Sequence, residues 1–132
     1  KDPFNLVCME GENVLNGTIK LWYADDVDAV LESALVLDTR SRAEFATGHL
    51  PGALNIPHTE LRERLDEVRD AAAGRPTKIM CASGMRSYIA YRVLAQNDFD
   101  ASTLSGGILT LRAALGSRAQ TLLTTEHALQ SA

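Results

Sequence analysis

The sequence predicts an α/β domain built on a mostly parallel sheet, and three observations predict it. Short apolar runs of strand length alternate with stretches of helical spacing, the pattern of repeated βαβ units. One run, Ala34-Leu35-Val36-Leu37, is apolar throughout, as a strand covered on both faces must be. Two runs end in chemistry-bearing residues, Asp38-Thr39-Arg40 and Cys81, at the strand ends where ligand crevices of parallel sheets lie.

The elements follow in order. In residues 1–17, Phe4, Val7, Cys8, Val14 and Leu15 fall at helical spacing after Asp2-Pro3 and before the stop signal Asn16-Gly17. Such a leading helix needs something to cover its apolar face. Ile19–Trp22 is a weak strand, followed by a helix from about Asp26 carrying Val27, Val30 and Leu31. After the strand at 34–37, Ser41 and Glu44 form a capping box, each side chain able to bond the other's backbone N–H. The short helix it opens stops at Gly48; His49–Ala53 is a turn into a strand at Leu54–Ile56, closed by Pro57. Leu61, Leu65, Val68 and Ala72 mark an amphipathic helix ending near Gly74. Lys78–Met80 and Ala101–Leu104 read as strands, and Arg86–Gln96 as a helix with Ile89, Ala90, Val93 and Leu94 on one face. Ser105-Gly106-Gly107 turns the last strand into a helix holding Ile108, Leu111 and Leu115; beyond Gly116 the pattern allows a final helix or a tail.

Composition bounds the function. The chain has 132 residues, enough for one substantial core, with 45% hydrophobic and 23% charged residues. A net charge of −4 gives no basic footprint for nucleic acid. No apolar run reaches membrane-span length, and no signal segment opens the chain. The only cysteines, Cys8 and Cys81, have neither C-x-x-C nor metal-ligand spacing, so no metal site is expected and a reducing cytoplasm is the default. The chain begins at Lys1 rather than Met, which suggests a piece of something longer.

The run Cys81-Ala82-Ser83-Gly84-Met85-Arg86-Ser87 joins a buried strand to a helix start. There backbone N–H groups lack intrahelical partners and the helix dipole favours negative charge, which a cysteine can supply as its thiolate. Ser83 and Gly84 are small or flexible enough for successive N–H groups to form a nest. The bland alternative is a buried, inert cysteine. Arg86 has two readings: a fork of donors for an anionic substrate, or an ion pair with a nearby carboxylate. Asp38 and Arg40 read as a local ion pair and turn cap, with crevice organisation as the alternative; Arg40 could equally pair with Glu44. His49 reads as a hydrogen-bonded structural histidine, with a general base as the alternative. Cys8 reads as a small hydrophobe, and Trp22, Tyr88 and Tyr91 as packing residues.

Residues from about 18 to 116 resemble the rhodanese sulfurtransferase domain. The resemblance rests on Leu37-Asp38-Thr39-Arg40, Glu44-Phe45 with Gly48-His49-Leu50-Pro51-Gly52-Ala53-Leu54-Asn55-Ile56-Pro57, the loop from Cys81 to Ser87, and Leu104-Ser105-Gly106-Gly107. It implies a five-stranded parallel sheet with helices on both faces. It also implies that Cys81 takes sulfane sulfur from thiosulfate, polysulfide or a persulfide, holds it as a persulfide within the loop Ala82–Ser87, and passes it to a thiol. Phosphatases of the same fold have one more residue between cysteine and arginine. The four residues between Cys81 and Arg86 therefore favour sulfur over phosphate chemistry, and a non-catalytic docking module is the remaining rival. The sequence departs from the family after Gly107, where Ile108-Leu109-Thr110-Leu111-Arg112 lacks the bulky aromatic common in the last helix.

Lys1-Asp2-Pro3-Phe4-Asn5-Leu6 and Glu12-Asn13-Val14-Leu15-Asn16-Gly17 are similar to the end of coenzyme A-disulfide reductase-type flavoproteins, some of which carry a C-terminal rhodanese domain. That similarity implies a remnant of a dimerisation region at 1–17, the rhodanese-like domain at 18–116 and a tail or extra helix at 117–132. The reductase portion would be a partner, with FAD and NAD(P)H bound there, since this chain has no G-x-G-x-x-G fingerprint.

Overall fold

A computed structural model describes residues 19–125. The leading helix expected at 1–17, Cys8 with it, and the end of the tail lie outside those residues. Five parallel strands form one sheet: β1 (Leu21–Trp22), β2 (Leu35–Asp38), β3 (Leu54–Asn55), β4 (Thr77–Met80) and β5 (Ala101–Leu104), in the order β1-β5-β4-β2-β3. The expected strands are present, displaced by a residue or so: β2 runs on to Asp38, and β1 and β3 keep two residues each. Central β4 pairs Leu35 with Thr77 and Asp38 with Met80 on one side, and Ile79 with Thr103 on the other.

The helices are α1 (Val27–Ser33), α2 (Arg42–Ala46), α3 (Leu65–Ala72), α4 (Met85–Gln96), α5 (Gly107–Leu115) and α6 (Arg118–Leu122). Period-2 side-chain alternation gives the sheet two apolar faces. Val36, Met80 and Leu104 meet Val27, Val30, Phe45, Ile108 and Leu111, so α1, α2 and α5 cover that side, with Leu122 and Leu123 packed behind them. Leu35, Leu37 and Ile79 meet Leu61, Val68, Ala90, Val93 and Leu94 on the other side, under α3 and α4. The helix lacking an aromatic still seats well: Ile108 and Leu111 are buried.

Two local results differ from the sequence pattern, and a third goes beyond it. The helix expected from Leu61 opens as a 3-10 stretch, His58–Arg64, and becomes α-helical only at Leu65. Leu61 is buried all the same. Ile89 is exposed, because the buried stripe of α4 runs through Ser87, Ala90, Tyr91, Val93 and Leu94, on the opposite side. Beyond Gly116, α6 leads the chain back so that Thr124 makes an antiparallel bridge with His49, two backbone bonds of 2.8 and 2.9 Å.

The topology fixes where a site can form. From adjacent strands β2 and β4 the chain leaves to opposite faces, to α2 on one and α4 on the other. A crevice opens at the carboxyl ends where neighbouring connections diverge in this way. Asp38 and Cys81 both lie there.

Candidate functional site

Cys81 follows the last residue of β4 and is buried. Gly84, at a backbone φ of +116° that favours glycine, turns the chain back so that its N–H donates to Cys81 Sγ at 3.0 Å. Gly84 is also the N-cap of α4, whose first N–H groups have no acceptor within the helix. The loop is braced from below: Thr103 Oγ1 on β5 donates to Ser87 Oγ at 2.7 Å, and Ser87 Oγ donates to the Gly84 carbonyl at 3.2 Å.

The opposite side of the loop rests on the start of α5. Ile108 N–H donates to the Cys81 carbonyl at 2.8 Å and Leu109 N–H to the Ala82 carbonyl at 3.1 Å. Gly107 makes this approach possible, since a Cβ there would stand 2.4 Å from the Ala82 oxygen. The Gly-Gly pair seen in sequence as a turn is therefore also a contact surface for the cysteine loop.

Arg86 forms the ion pair, not an open fork. Its Nη1 and Nη2 donate to Glu44 Oε1 and Oε2 at 2.7 and 2.9 Å, a bidentate pair joining α4 to α2. The pair is half-exposed. The Glu44 hydrogen bond holds the Arg86 guanidinium above its ordinary range, with lesser electrostatic contributions from Cys81 and Asp38. Glu44 also completes the predicted capping box with Ser41. Arg86 holds its carboxyl down to about 2, helped by the Ser41 bonds.

Arg40 does not pair with Glu44. It turns inward to Asp38, donating from Nε at 3.0 Å and Nη2 at 2.8 Å, with both residues buried. The two-residue spacing lets the guanidinium fold back over the strand end, and Nη2 reaches the Gly48 carbonyl as well. Asn55 ties β3 to the same corner, donating to the carbonyls of Asp38 and Arg40. His49 is buried behind it, its ring stacked on Phe45 at 3.6 Å and its Nδ1 2.8 Å from the Phe45 carbonyl. Thr39, which the sequence did not single out, is fully buried, its Oγ1 and N–H both donating to the Met80 carbonyl at 2.9 Å. The packing readings of Trp22 and Tyr91 have bonds to match: Trp22 Nε1 donates to the Ile79 carbonyl, and Tyr91 Oη accepts from Lys20 N–H.

Beside the crevice, Glu60 bridges Arg42 and Arg64, and these hydrogen bonds bring its carboxyl to about 2. Carboxylates with lowered folded-state values contribute stability that is complete above the ordinary value near 4.5 and disappears as pH falls toward 2. Thermal melts between about pH 5 and pH 2 should show a smaller fall in Tm for a Glu44→Gln/Glu60→Gln variant than for wild type. Parallel falls would show that these pairs contribute nothing to acid sensitivity.

Among the described residues no group of three metal-binding side chains is gathered, and no helix is long and apolar enough to cross a membrane.

Fold and site together define a parallel α/β domain with a cysteine-centred site at the carboxyl end of its middle strand. The chain belongs to the rhodanese-like domain family, whose profile matches residues 22–114. It is similar to a sulfurtransferase of Allochromatium vinosum, 37% identical over 79 residues, 59% of this chain and 71% of that protein. Among solved structures, reduced Bacillus anthracis CoADR-RHD superposes at a TM-score of 0.79 with 29% identity, over 94% of this chain and 21% of that one. An NAD-dependent persulfide reductase from A. fulgidus superposes at 0.65 with 32% identity, over 83% of this chain and 19% of that one. The chain spans 56% of the Bacillus subtilis relative YqhL and 18% of a Desulfurococcus amylolyticus tRNA sulfurtransferase.

Proposed function

We propose that this chain is a sulfurtransferase that carries sulfane sulfur as a persulfide on Cys81. The observation that carries the reading is the 3.0 Å N–H donation from Gly84 to Cys81 Sγ, in a loop that also starts a helix. Attack by the Cys81 thiolate on the outer sulfur of a donor breaks the donor's S–S bond and forms a new one at Sγ. The leaving group departs with the electron pair, as sulfite from thiosulfate or as a thiolate from an organic persulfide. The outer sulfur then stands about 2 Å beyond Sγ and carries the negative charge. Loop N–H groups replace water around that charge. A thiolate acceptor attacks the outer sulfur, takes it, and restores the Cys81 thiolate. Asp38, Arg40 and His49 have scaffold roles in this scheme: they fix the exit of β2, against which the loop is built.

Incubation with thiosulfate or polysulfide, followed by intact mass measurement, tests this reading. Wild type should gain one sulfur that a reductant removes, and Cys81→Ser should gain none. If neither of these donors nor an organic hydropersulfide adds sulfur, the persulfide scheme is wrong and the docking-module reading replaces it.

The reading extends to a reductase portion of the same parent chain as source or recipient of the sulfur, in a reducing cytoplasm. It is supported by the likeness of residues 1–17 to coenzyme A-disulfide reductases and by the two reductase structures above. FAD and NAD(P)H would belong to that portion. The described residues do not suit them: no strand-to-helix turn among these has the spaced glycines of a dinucleotide site, and Gly107 is packed against Ala82.

A further inference from the structure

The chain leaving the carboxyl ends of β2 and β4, the two strands that flank the crevice, carries three arginines before the first turn of the next helix is complete, and each is already paired. Arg40 is folded onto Asp38, Arg42 onto Glu60 and Arg86 onto Glu44. No lysine lies in these two segments. Arg86 is the one cation within the cysteine loop, and both arms of its fork that face Glu44 are spent on that carboxylate. The side chains standing out beside the loop are apolar: Met85 and Ile89, one turn apart on α4, and Leu109 in the first turn of α5.

From this arrangement we infer that Glu44 is a specificity-determining residue, which withholds Arg86 from dianionic donors and so favours sulfane sulfur carried on an organic thiol. The inference rests on the persulfide reading above and narrows its donor. A thiosulfate dianion meeting the cysteine loop finds each of these three guanidiniums committed to a carboxylate, and none of them is free to offset the loss of its water. A hydropersulfide has a thiol as leaving group and at most one charge, which the loop N–H groups can hold. Its organic part meets Met85, Ile89 and Leu109 in place of a cation. Glu44 acts through Arg86 and does not touch the sulfur, so it is a positioning residue.

Glu44→Gln is the informative substitution, because glutamine keeps the capping box with Ser41 while removing the charge that holds Arg86. Persulfide formation should be timed by mass with thiosulfate and with 2-hydroxyethyl hydropersulfide. In Glu44→Gln the ratio of thiosulfate to hydropersulfide loading rates should rise about tenfold, the worth of one charge-assisted contact. The rise should come through a lower KM for thiosulfate, weaken with added salt, and vanish when Arg86→Met is added. A ratio that does not move, or one that moves equally without Arg86, overturns the inference. A merely structural role would slow both donors together and also overturns it. Calorimetric titration of thiosulfate into Cys81→Ser protein, with and without Glu44→Gln, reads the same effect without sulfur transfer. Tighter binding dependent on Arg86 upholds the role of Glu44 even if wild type loads no sulfur, an outcome that would sink only the persulfide reading; unchanged binding overturns the role of Glu44.

Discussion

Gly107→Ala is expected to destabilise the domain by about 3 kcal/mol or more, combining overpacking with left-handed backbone strain. The alanine Cβ would stand 2.4 Å from the Ala82 oxygen, 2.5 Å from the Ala82 carbonyl carbon and 2.7 Å from the Cys81 oxygen. All three are backbone atoms, so no rotamer change relieves the contact. The residue's φ of +68° is also one that L side chains rarely adopt. Moving α5 away would lengthen the Ile108 and Leu109 bonds to the Cys81 and Ala82 carbonyls, which hold the loop in place. For a domain of this size the loss is about 10–15 °C in Tm. Gly52→Ala and Gly74→Ala are the controls: both positions have positive φ, +75° and +86°, but nothing within 4 Å of the added methyl. They isolate the backbone strain, about 1 kcal/mol each. Differential scanning calorimetry of the three variants would decide the matter. Equal shifts would mean that the close approach to Ala82 contributes nothing. A larger shift at Gly107, with slower persulfide loading by protein still folded at low temperature, would place Gly107 in the support of the sulfur site.

Why the fold was legible and parts of the site were not follows from the range of the interactions involved. Apolar runs and helical spacing are local signals, and a strand such as Leu35–Asp38, buried at every position, declares itself in four residues. The Ser41–Glu44 capping box is equally local, a three-residue reach within one turn. Local periodicity is too coarse to place every residue on its helix face. Ile89 lies beside Ala90 in sequence, and the ~100° step between neighbours on a helix is enough to put it in solvent. Long-range partners are another matter. Arg86 and Glu44 are 42 positions apart, and sequence could say only that an ion pair and an anion fork were both open to Arg86. The Thr103–Ser87 bond depends on β5 lying next to β4, which the order of elements alone does not specify. His49 shows both cases at once: its stacking on Phe45 is a four-residue contact within reach of the pattern, but its bridge to Thr124 needed the return of the chain after α6.

The second large effect belongs to the buried pair at the end of β2. Arg40→Met is expected to cost about 3–5 kcal/mol, because it leaves the Asp38 carboxylate charged and buried without its cation. Asp38 would keep one donor, the Arg40 backbone N–H at 3.1 Å, and the Gly48 carbonyl would lose the guanidinium it accepts from. The expectation is not that the pair is a net source of stability; desolvating both ions offsets most of their attraction. The cost comes from breaking one half. Adding Asp38→Asn to Arg40→Met should therefore return part of the stability, since the amide has no charge to leave stranded. Arg40→Lys should fall between wild type and Arg40→Met: it keeps the charge but cannot serve Asp38 and Gly48 with one planar fork. Urea unfolding of wild type, Arg40→Met, Asp38→Asn and the double variant gives the cycle, with Arg40→Lys measured beside it. If the double variant is as unstable as the sum of its single variants, the two side chains are not coupled, and the corner is held by Asn55 and the strand pairing instead. If it recovers, β2 ends in a matched pair whose role is to hold a sharp, buried exit, aiming α2 and its Glu44 at Arg86.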